Sequence, residues 1–312
     1  MRVLITGSEG LVGRHLVDHF VEDGATVIGI DDLSSRSAIE PKRQDHRFYK
    51  MDCRDYFRTV QGGKPFDYVF HCAAIVGGRE HLENNQFDVA TDLAIDASLF
   101  EWAVRARPHK IVYFSSSAVY PLAFQTKKDN RILTEDMVEF SYTAPFFTPD
   151  VTYGWSKLTG EFLAHQAHEK YGLNIAIYRP FSGYAEDQHD SYPFPAILNR
   201  IIRGDEVIDV YGSGTQKRDF IHIDDCIQGV IKTMDSLNGQ AMNLSTGIGT
   251  SFDEFVALAG KVVGRELKIN HLTDKPEGVH TRVGDTKKQL SLGFMYTVSL
   301  EEGITRYINA HT

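Results

Sequence analysis

Cysteine is scarce. The chain has three, Cys53, Cys72 and Cys226, far apart and odd in number. No pair stands at metal-ligand spacing and no disulfide framework can be drawn, so a reducing, cytoplasmic setting is expected. Long apolar runs are missing as well. Nothing approaches the roughly 20 residues that span a bilayer, and the opening MRVLITG has no basic segment leading an apolar one, so no secretory signal is expected. Positive charge is in deficit: 33 Lys and Arg stand against 42 Asp and Glu, a net charge of −9. That balance argues against a nucleic-acid backbone or an anionic membrane as partner. It leaves room for a phosphorylated small molecule, which local donors can hold. No His/Cys/Asp cluster has ligand spacing, so no metal is expected. There is no internal repeat and no low-complexity tract.

What is present is a globular composition, 42% hydrophobic and 24% charged over 312 residues, ample for a buried core. In the first half, short apolar runs alternate with helical patterns. Arg2–Thr6, Ala25–Ile30, Arg47–Met51, Tyr68–His71, Lys110–Ser115 and Asn174–Tyr178 read as buried strands. Leu11–Glu22, Arg54–Val60, Asn84–Arg105 and a segment from near Tyr153 read as helices. Alternation of this kind implies right-handed crossovers and a parallel sheet covered on both faces. Beyond Arg179 the rhythm breaks into a loop over 180–195, then helices near Ala196–Arg203, Ile223–Met234, Phe252–Val263 and Ser299–Ile308, with Ala241–Ser245 strand-like. Pro121–Pro149 reads as an excursion over the mouth of the sheet. The expected fold class is α/β: a doubly wound parallel-sheet Rossmann domain (1–178 and 219–248) with a smaller, discontinuous α/β substrate domain (179–218 and 249–312).

GSEGLVG places glycines at 7, 10 and 13, directly after the first strand and at the opening of a helix. Gly7 suits a tight turn, Gly10 close backbone approach to a pyrophosphate, and Gly13 close helix–sheet packing. The helix N-terminus adds unpaired donors and partial positive charge. The second strand ends in Asp31, where a carboxylate accepts from both ribose hydroxyls and repels a 2′-phosphate, which points to NAD rather than NADP. Asp32 beside it is either a solvated turn residue or a second cofactor contact. Asp52 after the third strand either faces the adenine or caps a helix.

The fifth strand runs into SSSAVY, Ser115 to Tyr120, and ligands lie beyond the carboxyl ends of parallel strands. Tyr153 begins the next helix, and Lys157 sits one turn on, on the same face. Either the pair is a solvated helix face or it is a proton-transfer centre. A free phenol has a pKa of about 10; a neighbouring ammonium and a positive nicotinamide favour phenolate.

Taken together, G-x-x-G-x-x-G, the strand-end serine and Y-x-x-x-K resemble the short-chain dehydrogenase/reductase superfamily. Its extended, nucleotide-sugar-modifying branch is most similar. HCAA at His71–Ala74, SSSAVY, RDFIHIDD at Arg218–Asp225 and LGFMYTVSLEEGI near the C-terminus are similar to that branch, so the resemblance covers almost the whole chain. It implies Ser116, Tyr153 and Lys157 as catalytic residues, with Ser115 and Ser117 alternatives for the hydroxyl. It implies NAD contacts from Gly7, Glu9, Gly10, Leu11, Val12, Gly13, Asp31, Asp32, Asp52, Cys53, Ala73, Ala74, Ser115, Tyr153, Lys157, Arg179 and Pro180. It implies substrate contacts from Val76, Gly77, Ser116, Ser117, Ser182, Tyr211, Arg218 and Arg282, the two arginines being suited to phosphate oxygens or to surface salt bridges. Arg79 is a candidate for an acidic sugar. His71 and His222 read as packed, hydrogen-bonded histidines.

Relatives that dehydrate sugars carry an Asp-Glu pair where this chain has Ser117 and Ala118, and relatives that epimerise carbons 3 and 5 have a cysteine at Ala118. The resemblance therefore implies 4-epimerisation of a nucleotide sugar, a UDP-sugar favoured, through a 4-keto intermediate with NAD tightly bound. A dehydratase or uronate decarboxylase on the same fold, and a non-catalytic NAD-binding regulator, are the alternatives. The chain departs from the family pattern at Asp92, Ser182 and Ala185 and in a long, aromatic 121–150 segment. A homodimer through a four-helix bundle, from Asn84–Arg105 and Tyr153–Lys170, is expected as in relatives.

Overall fold

The structure, a computed structural model, describes residues 1–34, 45–60, 63–141, 144 and 146–312. Its first half follows the alternation of the sequence: β1 (Arg2–Thr6), α1 (Leu11–Glu22), β2 (Thr26–Asp31), β3 (Arg47–Lys50), α2 (Cys53–Thr59), β4 (Tyr68–His71), α3 (Arg79–Asn84), α4 (Gln86–Val89), α5 (Thr91–Ala106), β5 (Lys110–Phe114), α6 (Val151–Tyr171) and β6 (Ile175–Pro180). The second half adds β7 (Ser182–Tyr184), α7 (Pro193–Arg203), β8 (Val207–Tyr211), β9 (Lys217–Arg218), β10 (Phe220–His222), α8 (Ile223–Thr233), β11 (Gln240–Leu244) and β12 (Thr250–Ser251). It closes with α9 (Phe252–Val262), β13 (Lys268–Leu272), β14 (Thr281–Arg282), α10 (Lys287–Ser291) and α11 (Leu300–His311).

Seven strands form one sheet in the order β11-β6-β5-β4-β1-β2-β3, every pair parallel. Side chains alternate across it with the two-residue period of a strand. Val3 and Ile5 pack with Leu16, Val17 and Phe20 of α1 and Ile227 and Val230 of α8. Leu4 faces the other way, into Phe57 of α2, Leu99 and Trp102 of α5, and Ala164 and Ala167 of α6. The strand order reverses between β1 and β4. Loops leaving the carboxyl ends of those two strands diverge there and open a crevice.

A separate apolar cluster joins α7, α9 and α11 through Phe194, Leu198, Phe255 and Tyr307, flanked by short sheets pairing β8 with β13 and β9 with β12 and β14. The excursion after β5 is stitched to the second half of the chain. The Leu133 N–H donates to the Val283 carbonyl at 2.9 Å. The Leu133 carbonyl accepts from Asp285 N at 2.8 Å and from Asn243 Nδ2 at 2.9 Å. Residues 142, 143 and 145 of that excursion lie outside the described residues.

Two element boundaries need correction. The helix expected over Asn84–Arg105 is broken: Asn85 leaves helical geometry (φ −122°, ψ 45°), its side-chain amide donating back to the His81 carbonyl at 3.0 Å, and a second junction at Ala90 separates α4 from α5. The helix expected from Arg54 starts at Cys53, since the Asp52 carboxylate accepts from Arg54 N at 2.8 Å and caps it. The sequence reading also passed over β8 and β13, which pair only with each other.

Candidate active site

The glycine turn is built to leave its backbone bare. Gly7 adopts φ +66°, the left-handed region that glycine enters without penalty. A Cβ on Gly13 would lie 1.9 Å from the Gly7 carbonyl oxygen, so only glycine lets α1 dock this close to β1. The first intrahelical bond runs from Arg14 N to the Gly10 carbonyl at 3.0 Å. The N–H groups of Leu11, Val12 and Gly13 lie ahead of it, as an anion site requires. At the end of β2 the Asp31 carboxylate is fixed by Glu9 N at 3.0 Å and Leu33 N at 2.8 Å. These features form a cradle that fits a dinucleotide pyrophosphate with its ribose beside Asp31.

The cradle opens into a cleft of about 970 Å³ at the carboxyl edge of the sheet. Its walls include Asp31, Asp32, Asp52, Cys53, Ala73, Ala74, Val76, Gly77, Ser115, Ser116, Ser117, Tyr153, Lys157, Pro180, Ser182, Tyr211, Arg218 and Arg282. Two expected cofactor contacts are not among them. The Glu9 side chain is buried and accepts from Ser8 Oγ at 2.9 Å. Arg179 is 1% exposed and bonds Glu161 through Nε (2.8 Å) and Nη2 (2.6 Å), with Nη1 on the Tyr120 hydroxyl and the Glu135 carbonyl. Its charge is consumed inside the fold. Asp52, besides capping α2, grips the Arg54 guanidinium at 2.5 Å, which holds its carboxyl below the usual range.

Ser116, Tyr153 and Lys157 come together on one wall. Ser115 turns away, donating its hydroxyl to Glu161, whereas Ser116 Oγ faces the cleft and accepts from Ala118 N at 3.1 Å. Lys157 is 2% exposed, its ammonium 5.3 Å from the Tyr113 ring centroid. That ammonium donates a hydrogen bond to no described residue, so its donors are available to a ligand. Burial pushes the Tyr153 phenol above its ordinary value, while Lys157 and the Ser116 hydroxyl pull it down and Asp92 and Asp96 push it up. The net direction is upward: the ammonium alone does not produce the acidic phenol that the spacing suggested. Beneath the pair, His71 is fully buried between Thr6 Oγ1 (2.8 Å) and Asp96 (3.2 Å). Asp92 is also fully buried. Its Oδ1 accepts from Ile75 N at 2.7 Å, and its Oδ2 has no partner. Burial lifts that carboxyl to about 7 against the pull of Lys157.

At the far end stand three arginines, with the Asp150 carboxylate between two of them. Arg218 and Arg282 sit at paired positions of the parallel strands β9 and β14. Like charges side by side repel unless an anion lies between them. The Asp150 carboxylate, 5% exposed and just ahead of α6, accepts from Arg282 and from Arg79, both at 2.7 Å. Arg218 donates only to the carbonyls of Lys217, Val279 and Glu277, with no carboxylate partner among the described residues. Burial first, and Arg282 second, lower its pKa to about 9. A half-buried guanidinium short of negative charge is suited to phosphate oxygens. The sequence reading missed Asp150, whose signal was its place one turn ahead of Tyr153, and it gave Arg79 a free role although Asp150 and Glu83 (2.6 Å) hold it. His222 caps α8 through Asp224 N and faces Glu186 at 3.2 Å. Among the described residues no His/Cys/Asp/Glu group could hold a metal ion, and no helix is long and apolar enough to cross a membrane.

Known proteins are similar to this chain along its whole length. A UDP-glucose 4-epimerase of Mycolicibacterium smegmatis is 27% identical over 99% of this chain and 97% of its own length. A crystal structure of a UDP-glucuronic acid 4-epimerase from Bacillus cereus, in complex with UDP-glucuronic acid and NAD, matches with TM-score 0.82 at 25% identity over 100% of both chains. A UDP-glucose 4-epimerase of Thermotoga maritima matches in fold with TM-score 0.85 at 24% identity, over 100% of this chain and 98% of that one. A family model matches residues 3–245, and the chain belongs to the NAD dependent epimerase/dehydratase family.

Proposed function

We propose that the protein is a nucleotide-sugar 4-epimerase acting on an NDP-hexose, a UDP-sugar or UDP-uronate favoured. The observation that carries this reading is the meeting of Ser116, Tyr153 and Lys157 in one cleft between the glycine cradle and an under-compensated arginine pair. Residues Gly7 to Gly13 would hold the NAD pyrophosphate, Asp31 its adenosine ribose, and Lys157 the nicotinamide ribose. NAD, when bound, would supply the acceptor for the hydride leaving carbon 4, the donor that returns that hydride to the opposite face of the ketone and, in its oxidised form, a positive ring that adds to the pull of Lys157 on the phenol. Tyr153 takes the proton from the sugar 4-hydroxyl, and Ser116 holds that oxygen by a hydrogen bond. The 4-keto sugar turns over in the pocket, and Tyr153 returns the proton, so the product is an isomer. Ser117 and Ala118 offer no carboxylate to protonate a departing 6-hydroxyl, which disfavours dehydration. In this reading residues 1–178 and 219–248 serve NAD, and 179–218 and 249–312 serve the nucleotide sugar.

The test is a panel of UDP-, GDP-, dTDP- and CDP-sugars incubated with the purified enzyme. The expected result is a product of unchanged mass and altered configuration at carbon 4. A loss of water or carbon dioxide would replace the epimerase with a dehydratase or a decarboxylase; tight NAD binding with no product from any sugar would favour a regulatory protein.

The same reading includes a homodimer through α5 and α6. These helices pack on each other and leave Leu93, Trp155 and Phe162 about 40% exposed, with Phe87 nearby 95% exposed. Sedimentation at micromolar concentration is expected to give twice the 35.1 kDa chain mass; a monomer would end that part of the proposal. A cytoplasmic setting suits the three free cysteines.

A further inference from the structure

Tyr192 takes no part in the chemistry described above, yet it lines the same cleft as Tyr153. It ends the turn 189–192 and stands just ahead of Pro193, the first residue of α7. The turn is held from two sides. Within it, His189 Nδ1 accepts from Ser191 N at 3.1 Å and lies 3.0 Å from Ser191 Oγ. From across the cleft Gly78 presses against it: a Cβ on Gly78 would lie 2.4 Å from the Ser191 carbonyl oxygen. The Tyr192 ring is half-buried, and its side chain does not cap α7. No described residue forms a hydrogen bond with its hydroxyl, which is not buried, so the O–H is free to meet a ligand in the cleft.

We propose that Tyr192 is a specificity-determining residue for the sugar: its hydroxyl donates a hydrogen bond to an oxygen of the bound pyranose, and its ring packs on the sugar's C–H face. The ligand class is therefore a nucleoside diphosphate carrying a hydroxylated pyranose, which offers both surfaces at once. The two phenols of the cleft divide the work. Burial drives the Tyr192 phenol well above its ordinary value, and the charge of Tyr153 pushes the same way, so Tyr192 stays a neutral donor. Tyr153, with Lys157 beside it, is the phenol that exchanges a proton.

The proposal rests on the nucleotide-sugar reading, and calorimetric titration separates the two. UDP, UDP-glucose and UDP-glucuronate are titrated into wild type and Tyr192→Phe, which keeps the ring and removes only the hydroxyl. The variant is expected to bind UDP within twofold of wild type and to bind the sugar nucleotides about three- to tenfold more weakly, the range of one neutral hydrogen bond. Sugar nucleotides bound as tightly by the variant as by wild type would overturn the assignment. So would an equal loss for UDP alone, which would mean a general disturbance of the site. Wild-type binding of both sugar nucleotides without any isomer formed would remove the epimerase reading. A selective loss in Tyr192→Phe would still stand beside that outcome.

Discussion

Tyr153→Phe is expected to lower turnover about 10²–10⁴-fold, the span that one positioned acid–base group supplies, or about 3–5 kcal/mol of barrier. The cradle at Gly7–Gly13 is untouched by this change, so NAD stays bound at wild-type stoichiometry. The phenyl ring fits where the phenol ring was, so the fold is kept. The loss is expected in kcat, with KM little moved, because the phenol's proton is in transit only at the transition state. The measurement is steady-state epimerisation of the best sugar in the panel, with NAD content read on the same sample. Turnover within tenfold of wild type would remove Tyr153 from the chemistry. The structure sharpens what is being tested. Burial outweighs the help of Lys157 and Ser116 in the protein itself, so in the proposed mechanism the phenol would need the further stabilisation that a positive nicotinamide ring supplies.

Glu161→Leu is expected to be the most damaging single change away from the cleft. Glu161 and Arg179 are each about 1% exposed, joined by two bonds of 2.6 and 2.8 Å. Burial alone would drive the Arg179 guanidinium towards losing its proton; Glu161 and Tyr120 more than reverse that. Removing the carboxylate strands a charge in the interior, at a cost of about 3–5 kcal/mol. Denaturant unfolding should report it as a lower midpoint with unchanged slope. Replacing both partners, Glu161→Leu with Arg179→Met, is expected to recover most of the loss, because matched apolar groups leave no charge unpaired, although the Ser115 hydroxyl and the Glu135 carbonyl each lose a partner. A single variant within 1 kcal/mol of wild type would show that water or a neighbour compensates Arg179. Ser115 also donates to Glu161, so a secondary fall in activity is expected through the 115–117 segment.

These two results contrast what sequence reveals and what it conceals. Tyr153 and Lys157 are legible because a helix puts residues four apart on one face, and the glycine turn is legible because its context is local. The six strands of the first half are legible for the same reason: each is a short apolar run bounded by turns. The burial of Arg179 was not legible because its partner Glu161, on α6, is fixed by the sheet and by nothing nearby in sequence. The Glu9 carboxyl accepts from Ser8, a contact that a motif cannot show. The break at Asn85 escaped notice because neither glycine nor proline marks it. Tyr192 was hidden in a polar loop, its only signal an aromatic residue ahead of a proline that opens a helix. The place of Asp150 depends on the Arg79 and Arg282 side chains meeting from distant parts of the chain, which no local pattern brings together.

The outer edge of β6 is paired by β11, whose residues come some sixty positions later in the chain. A nascent polypeptide therefore completes six parallel strands while one flank of the sheet still presents bare amides and carbonyls, an invitation to a neighbouring chain. Asn243, arriving with β11, also brings the groups that fasten Tyr120 and Leu133. Vectorial synthesis thus delivers the seal of the sheet and the clasp of the excursion in the same few residues.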